Sequence, residues 1–300
     1  MIKKIYAIIT YQGISGLLNA VFSRVLPRRL TFYKHCKSFF ESKTGLEIGG
    51  PSGIFRRTGL IPVYTVAARI DNCNFGNHTI WEGKINYGDT FYFYKRRAPG
   101  RQYVAEASNL SCIASTSYDF VLSSHCIEHV ANPLQALAEW TRVLKEEGLL
   151  VLIVPHKDGT FDHHRPVTTL EHLIQDFDRQ TTEGDMTHLE EILRLHDLTK
   201  DPVAGDFPAF KQRSILNLEN RCLHHHVFDT RLAVETVHHM GLQILTVELF
   251  RPFHIVVIGQ KTNPGQEVQN DPFRGIHRAP CWLSQFPSDR PPNQQMAKGI

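Results

Sequence analysis

The chain has 300 residues, in which 33 Lys and Arg stand against 30 Asp and Glu, and 42% of the residues are hydrophobic. This balance excludes a largely disordered or fibrous protein. It also argues against a dedicated nucleic-acid-binding protein, because such proteins carry a strongly basic face. The six cysteines form no C-x-x-C pair, which argues against a zinc knuckle or a dithiol redox motif and predicts reduced thiols in the cytoplasm.

Apolar residues recur along one face of a predicted helix near the start of the chain. The stripe has the three- and four-residue spacing of a helix and consists of Ile14, Leu17, Leu18, Val21, Phe22 and Val25. We predict that residues 1–43 form an amphipathic helical segment that docks on the domain following it. Because basic residues follow the stripe, the alternative is an in-plane membrane contact by residues 14–37. No apolar run is long enough for a membrane span.

Short apolar runs alternate with helical patterns from residue 44 to residue 260. The predicted strands are 45–49, 62–70, 101–106, 118–123, 149–154, 242–249 and 255–260. This alternation is typical of an α/β fold, here a Rossmann-like, doubly wound, seven-stranded, mostly parallel sheet with an antiparallel last strand. A polar stretch at about 156–225 is predicted to be a cap inserted between strands five and six of the domain 44–260. Residues 261–300, rich in proline and poor in apolar residues, are predicted to form a disordered tail.

A predicted strand runs directly into a glycine-rich turn. The turn consists of Gly49, Gly50, Pro51, Ser52 and Gly53. Its glycines allow a sharp bend and a close approach of the backbone to a ligand. The turn lacks the lysine of a triphosphate-binding loop, and Pro51 replaces a glycine that a dinucleotide requires, which argues against an NAD-dependent oxidoreductase. Glu47 would repel phosphate and attract a cation or hydroxyls. A cationic nucleoside without phosphate therefore fits best, and S-adenosylmethionine is such a molecule.

At these residues the sequence resembles the class I S-adenosylmethionine-dependent methyltransferases, in particular methyltransferase type 11. The resemblance covers about residues 44–155 and 222–260, and residues 117–155 match the family's pattern almost throughout. It implies a transferase (EC 2.1.1.-) that uses S-adenosylmethionine for methylation. It also implies that Asp71 binds the ribose hydroxyls and that Glu106 and Ala107 contact the adenine. The complete cofactor-binding set is Glu47, Gly49, Gly50, Ser52, Gly53, Asp71, Glu106, Ala107 and Ser124.

The methyl acceptor is expected at the carboxyl edge of strands four and five, where ligands of parallel sheets bind. His125, which follows strand four, is the candidate general base for a hydroxyl acceptor; alternatively it contacts the cofactor or the loop backbone without proton transfer. The polar cap predicts a polar small molecule or a saccharide as acceptor. Its histidines raise a secondary metal hypothesis, but their spacing fits no recognised motif and no metal is assigned. The alternative function is a catalytically silent methyltransferase-like protein that acts as a cofactor-binding or interaction module.

Overall fold

The computed structural model describes residues 28–95, 97–276 and 278–290. The amphipathic helix predicted over residues 14–25 lies outside them. Within the described ranges, no helix has both the length and the apolar character needed to cross a membrane. In chain order the helices and strands are α1 (Tyr33–Cys36), β1 (Thr44–Ile48), β2 (Arg69–Asn74), β3 (His78–Thr79), β4 (Gly83–Lys84), β5 (Gly88–Phe91), β6 (Gly100–Val104), β7 (Tyr118–Ser124), α2 (Pro133–Val143), β8 (Leu144–Pro155), α3 (Leu170–Asp178), α4 (Leu189–Leu195), α5 (Phe207–Ile215), α6 (Asn217–Asn220), α7 (Thr230–His239), β9 (Gln243–Phe250), β10 (His254–Gln260) and α8 (Asp271–Arg274).

Most of the strands form one mixed sheet in the order β5-β6-β2-β1-β7-β8-β10-β9. The neighbours from β6 to β8 are parallel to one another. Strand β10 lies between β8 and β9 and runs antiparallel to both. The doubly wound α/β fold with an antiparallel last strand is therefore confirmed. The sheet has eight strands rather than the seven predicted, because β5 adds an antiparallel edge beside β6.

Apolar side chains fill a core on each face of the sheet, as the alternation of side chains along a strand requires. On one face, α2 and α7 pack over Val121 and Leu150, with the indole of Trp140 fully buried. On the other face, Phe120 meets Phe40 edge to face at 5.2 Å between ring centres. Both layers hold the central strands firmly, so the loops at the strand ends leave from a rigid frame.

The second strand lies later in the chain than the sequence predicted. Residues 62–70 were expected to form it, but Val63–Thr65 form a 3-10 turn and the strand is β2. The strand has a polar end because its amides bond to one another and to the glycine turn. Asn72 Nδ2 donates to Asn74 Oδ1 at 2.7 Å, and Asn72 Oδ1 accepts from the backbone N–H of Gly50 at 3.0 Å. A buried amide network of this kind has no apolar pattern by which a sequence could reveal it.

The inserted region follows β8, at the predicted place, and it contains α3 to α6. It has a small apolar cluster of its own, which consists of Ile192, Ala204, Phe210 and Leu223. We call residues 156–226 the cap. The helix after it, α7, belongs to the sheet layer, where Ala233, Val234 and Val237 are buried. The cap is therefore a packed unit set over one edge of the sheet.

Residues 261–290 contact the domain over their described part, so the disordered tail predicted for 261–300 is wrong there. Asn270 is 1% exposed, accepts from the backbone N–H of Ile244 at 2.8 Å and donates to the carbonyl of Leu242 at 2.8 Å. The hydroxyl of Thr230 donates to Asp289 Oδ2 at 2.6 Å. Polar side chains make much of this docking, which explains why a low apolar content suggested disorder.

Candidate functional site

A cavity of about 570 Å³ lies at the carboxyl edge of four adjacent parallel strands. Gly49 follows β1, Asn74 ends β2, Ser124 ends β7 and Pro155 ends β8, and all four border the cavity. Open α/β sheets bind ligands at this edge, because the loops that leave the strands converge there. The cap contributes residues 159–161, Glu183, Lys200, Arg221 and His224 to the lining. The volume lies in the range of small-molecule sites.

The glycine turn forms one wall of the cavity, and Glu47 supports it from beneath. Gly49 has a φ of +77°, which a side chain would strain. The carboxylate of Glu47 accepts from the backbone N–H of Ser52 at 2.8 Å and from the hydroxyl of Tyr64 at 2.5 Å. Burial raises the pKa of Glu47 to about 7, although these two bonds favour the ionised form. Gly49 and Ser52 border the cavity, whereas Glu47, Gly50 and Gly53 shape the turn without lining it.

Asp71 does not border the cavity, contrary to the role that the resemblance gave it. Its carboxylate is 6% exposed and fully engaged: Arg69 Nε donates at 2.7 Å, the backbone N–H of Arg101 at 2.7 Å and the hydroxyl of Tyr118 at 2.8 Å. The reason is the later position of β2, which puts Asp71 in mid-strand. Asn74 stands at the strand end and borders the cavity instead.

Glu106 and Ala107 both border the cavity, but the carboxylate of Glu106 already has a partner. Arg221 of the cap donates to Glu106 Oε1 at 2.5 Å and to Glu183 Oε2 at 3.0 Å. The guanidinium also lies over the ring of Phe75, 5.3 Å from its centre. Burial raises the pKa of Glu183 to about 7 despite this cation. No local sequence signal points to Arg221, because its partners lie far away along the chain.

Ser124 and His125 border the cavity at the end of β7. The hydroxyl oxygen of Ser124 is buried and has no partner among the described residues. His125 has a φ of +53°, and both of its ring nitrogens face polar neighbours. Its Nε2 is 2.8 Å from Nδ1 of His254, and its Nδ1 is 3.7 Å from Oε1 of Glu128. A direct role as base therefore requires a ligand to displace one of these contacts.

Glu128, His129 and His224 form a further polar group on the cavity wall that the predicted site did not include. Glu128 is 1% exposed, and its Oε2 has no partner among the described residues. Burial alone would raise the pKa of Glu128, but the neighbouring His125, His129 and His224 hold it below its ordinary value. Burial and the nearby His224 lower the pKa of His129 to about 4, so this imidazole is neutral near neutral pH. The cavity thus contains an ionised carboxylate with a free oxygen.

His224 owes its orientation to a buried carboxylate of the cap. Its Nδ1 is 2.5 Å from Oδ2 of Asp162, whose Oδ1 accepts from Arg165 Nη1 at 2.9 Å. Burial opposes the charged forms of both partners, yet the contact raises the pKa of His224 and, with the Arg165 cation, lowers that of Asp162 to about 2. The cap therefore presents to the cavity an imidazole that a hydrogen bond to Asp162 holds in place.

Residues 88–152 match the model of a family described as a methyltransferase domain. This part of the chain is similar to methyltransferase domains. The match runs from β5 into β8 and includes Glu106, Ala107, Ser124 and His125. It confirms the resemblance to the class I S-adenosylmethionine-dependent methyltransferases, and with it the prediction of S-adenosylmethionine as cofactor.

Solved structures of methyltransferases are also similar to this chain. The S-adenosylmethionine-dependent methyltransferase from Mesorhizobium loti is 11% identical, with a TM-score of 0.45 over 77% of this chain and 98% of that one. An S-adenosylmethionine-dependent methyltransferase from Methanosarcina mazei is 17% identical, with a TM-score of 0.41 over 78% of this chain and 99% of that one. One from Aquifex aeolicus is 12% identical, with a TM-score of 0.42 over 76% of this chain and 87% of that one. No curated protein matches the sequence.

Proposed function

We propose that the methyltransferase domain transfers a methyl group from S-adenosylmethionine to a polar small molecule or a saccharide. The observation that carries the proposal is one cavity that joins the glycine turn to Glu128, a buried carboxylate whose Oε2 has no partner among the described residues. At one end of the cavity, Gly49 allows a ligand to approach the backbone because it has no side chain. Charged and hydrogen-bonding groups lie at the other end. A donor and a polar acceptor can therefore meet within one enclosed space.

The cofactor end is assigned to the strand loops. Gly49 leaves room for the ligand beside the backbone, and Ser52 and Asn74 offer groups that both donate and accept hydrogen bonds. Asn74 takes the ribose role that the resemblance gave to Asp71. The buried hydroxyl of Ser124, which has no partner among the described residues, is available to donate to the bound ligand. Ala107 provides an apolar surface beside the base.

The acceptor end is assigned to Glu128 and His125. Bound S-adenosylmethionine would supply an electrophilic methyl group: the acceptor oxygen would bond to that carbon while the carbon–sulfur bond breaks, and the sulfur would keep the bonding pair and leave as neutral S-adenosylhomocysteine. Oε2 of Glu128, which has no partner among the described residues, would accept the hydrogen bond of the hydroxyl and then its proton. His125, with Nδ1 3.7 Å from the other carboxylate oxygen, positions the carboxylate. The cap's Arg221 and Lys200 line the same space and suit the hydroxyls of a sugar.

The test begins with calorimetry of S-adenosylmethionine and S-adenosylhomocysteine on the full chain. Labelled methyl donor is then incubated with pooled hydroxylated metabolites and glycans. Gly49→Val should abolish cofactor binding, whereas Gly53→Ala, whose added Cβ would meet nothing within 4 Å, should not. Absence of cofactor uptake by the wild-type chain would refute the proposal.

With an acceptor in hand, Glu128→Gln and His125→Gln should each lower kcat by about 10²–10⁴-fold. The dissociation constant of the cofactor should change little, because neither residue is assigned to cofactor binding. Glu267→Gln, at an exposed carboxylate remote from the cavity lining, is the matched control. Equal turnover in Glu128→Gln and the wild-type chain would remove the carboxylate from the mechanism.

The catalytically silent alternative predicts a different pattern. Such a protein would bind the cofactor through the same turn, but S-adenosylhomocysteine would not accumulate with any acceptor. The unpartnered oxygen of Glu128 favours the enzyme, because a buried ionised oxygen without a donor is costly unless a ligand satisfies it. We extend the proposal to a cytoplasmic location, since all six cysteines are free thiols.

A further inference from the structure

A second group of polar side chains lies outside the cavity lining, where the cap joins the sheet domain. It consists of His172 and Asp176 on α3, His188 just before α4, and His226 shortly before α7. His172 and Asp176 are four residues apart on α3 and therefore share one face of the helix. Asp176 is 7% and His226 is 1% exposed. Three separate segments of the chain thus meet at this group.

The ligand-type atoms of the group are spaced as a metal ion would require. His172 Nε2 is 3.1 Å from His188 Nε2 and 3.4 Å from Asp176 Oδ2. One ring nitrogen from each of the three histidines lies within 4.8 Å of the others. Tetrahedral zinc holds its ligands at about 2.0–2.2 Å, which separates the ligand atoms by about 3.4 Å.

The ring positions agree with the same geometry. The centres of the His172 and His188 rings are 5.0 Å apart, and each lies 5.8 Å from the centre of the His226 ring. Imidazoles bound to one tetrahedral zinc ion have ring centres about 5.2 Å apart, since each centre lies about 3.2 Å from the ion. The separations of the three ring centres are therefore within about 0.6 Å of those expected at one zinc ion.

Two buried atoms of the group have no hydrogen-bond partner among the described residues. They are Asp176 Oδ2 and His226 Nδ1. Their neighbouring atoms are supported: Asp176 Oδ1 accepts from the hydroxyl of Thr181 at 3.0 Å, and His226 Nε2 is 3.3 Å from the carbonyl oxygen of Ala131. Metal ligands commonly show this pattern, in which the second polar atom of the side chain is fixed by the protein.

A simple hydrogen bond between two neutral imidazoles would explain the short distance from His172 to His188. It would leave the free oxygen of Asp176 and the free nitrogen of His226 unexplained. We propose that His172, Asp176, His188 and His226 bind one zinc ion. Three imidazoles and one carboxylate complete a four-coordinate site, which is the form of a structural rather than a catalytic zinc site.

The proposed role is to hold together the segments of the cap that pack against the sheet domain, where His226 contacts Ala131. The ion would link α3, the start of α4 and the segment that leads into α7 at one point. This proposal does not depend on the methyltransferase activity, and it differs from the expectation from sequence, which assigned no metal. The four ligands are 54 positions apart along the chain from first to last, so no compact motif marks them.

The experiment measures metal in the full chain, purified without a histidine tag. Wild-type protein should contain one equivalent of zinc after dialysis. Asp176→Asn and His188→Ala should lower zinc affinity by about 100-fold or more, because even changes in residues that only support ligands cost about 10–100-fold. His239→Ala, at an exposed histidine, and His129→Ala, at the cavity group, should retain the ion.

Cobalt provides a readout that separates ligation from folding. Cobalt(II) added to metal-free wild-type protein should give the visible absorption of a tetrahedral site, and Asp176→Asn, which nearly preserves the side-chain shape, should lose it while it remains folded by circular dichroism. Zinc should raise the melting temperature of the wild-type protein but not that of Asp176→Asn. The proposal is overturned if the wild-type chain takes up no zinc, or if Asp176→Asn and His188→Ala bind it as tightly as the wild-type chain does.

Discussion

Replacing Glu47 with Gln tests whether burial raises the pKa of the carboxyl group beneath the glycine turn, so that its ionisation destabilises the fold. Glu47 is 1% exposed, and burial raises its pKa from an ordinary 4.5 to about 7. Since the folded-state pKa is the higher one, the folded protein binds the proton more tightly than the unfolded chain does. Stability is therefore lost as the pH rises from about 4.5 to about 7, and the loss is complete above that range.

The size of the effect follows from the two pKa values. One pKa unit corresponds to about 1.4 kcal/mol, so the raised pKa of Glu47 lowers the free energy of unfolding, relative to its value at low pH, by about 0.8 kcal/mol at about pH 5 and about 3.3 kcal/mol at about pH 8. Glutamine does not titrate, so the variant lacks this loss. Altered hydrogen bonds to Ser52 and Tyr64 add a constant that is the same at both pH values. The stability of Glu47→Gln relative to wild type should therefore rise by about 2.5 kcal/mol from about pH 5 to about pH 8.

Urea unfolding of both proteins at the two pH values measures this difference directly. Glu139→Gln is the control, because the ion pair and hydrogen bonds with Arg142 lower the pKa of Glu139. The stability that ionised Glu139 contributes is almost fully present above its ordinary pKa and is lost only as the pH falls below it, so the stability of Glu139→Gln relative to wild type should be nearly the same at the two pH values. If the relative stability of Glu47→Gln were the same at both pH values, the pKa of Glu47 would not be raised in the folded protein.

Three further changes test the turn, the cap and the tail. Gly50→Ala should lower the free energy of unfolding by about 1–3 kcal/mol in urea titrations, since its Cβ would lie 2.3 Å from a buried carboxyl carbon, and Gly53→Ala should have no such effect. Arg221→Ala should lower the melting temperature, and more so as the pH rises past about 7, where Glu183 ionises beside its cation in the wild type but only at a higher pH in the variant; an equal loss at all pH values would contradict this. Deleting residues 262–300 should lower the melting temperature by about 5 °C or more, and an unchanged melting curve would show that the tail adds no stability.

The sequence predicted the parts of the site that lie on local elements. Gly49, Ser52, Ala107, Ser124 and His125 all border the cavity. Each sits at or just after a strand of the parallel sheet, and the carboxyl ends of such strands meet at one edge. A fold predicted from alternating apolar runs therefore also predicts which loops converge. The local sequence pattern was sufficient to predict these five cavity residues, because their positions depend only on where neighbouring strands end.

The error at Asp71 shows where local pattern fails. The apolar run at residues 62–70 suggested a strand, so an acid just after it suggested a residue at the strand end. In the structure the strand continues through polar residues to Asn74, because buried amides there satisfy one another. A shift of a few residues along a strand moves a side chain from the ligand edge into the sheet, where Arg69 and Tyr118 engage the Asp71 carboxylate. The sequence pattern could predict that a strand is present, whereas the residue at which the strand ends depends on hydrogen-bond partners elsewhere in the chain.

The contacts made by cap residues were the part of the candidate site that the sequence could predict least. Arg221 meets Glu106, 115 residues earlier in the chain, and His224 meets Asp162, 62 residues earlier. Arg221, Glu106 and His224 all line the cavity. Arg221, His224 and Asp162 are buried, whereas the Glu106 side chain is 39% exposed, so loss of a partner would leave a costly unpaired charge at the buried cap residues. The geometry of the acceptor end is thus coupled to the packing of the cap, and residues that hold the cap in place are expected to affect turnover without contacting a ligand.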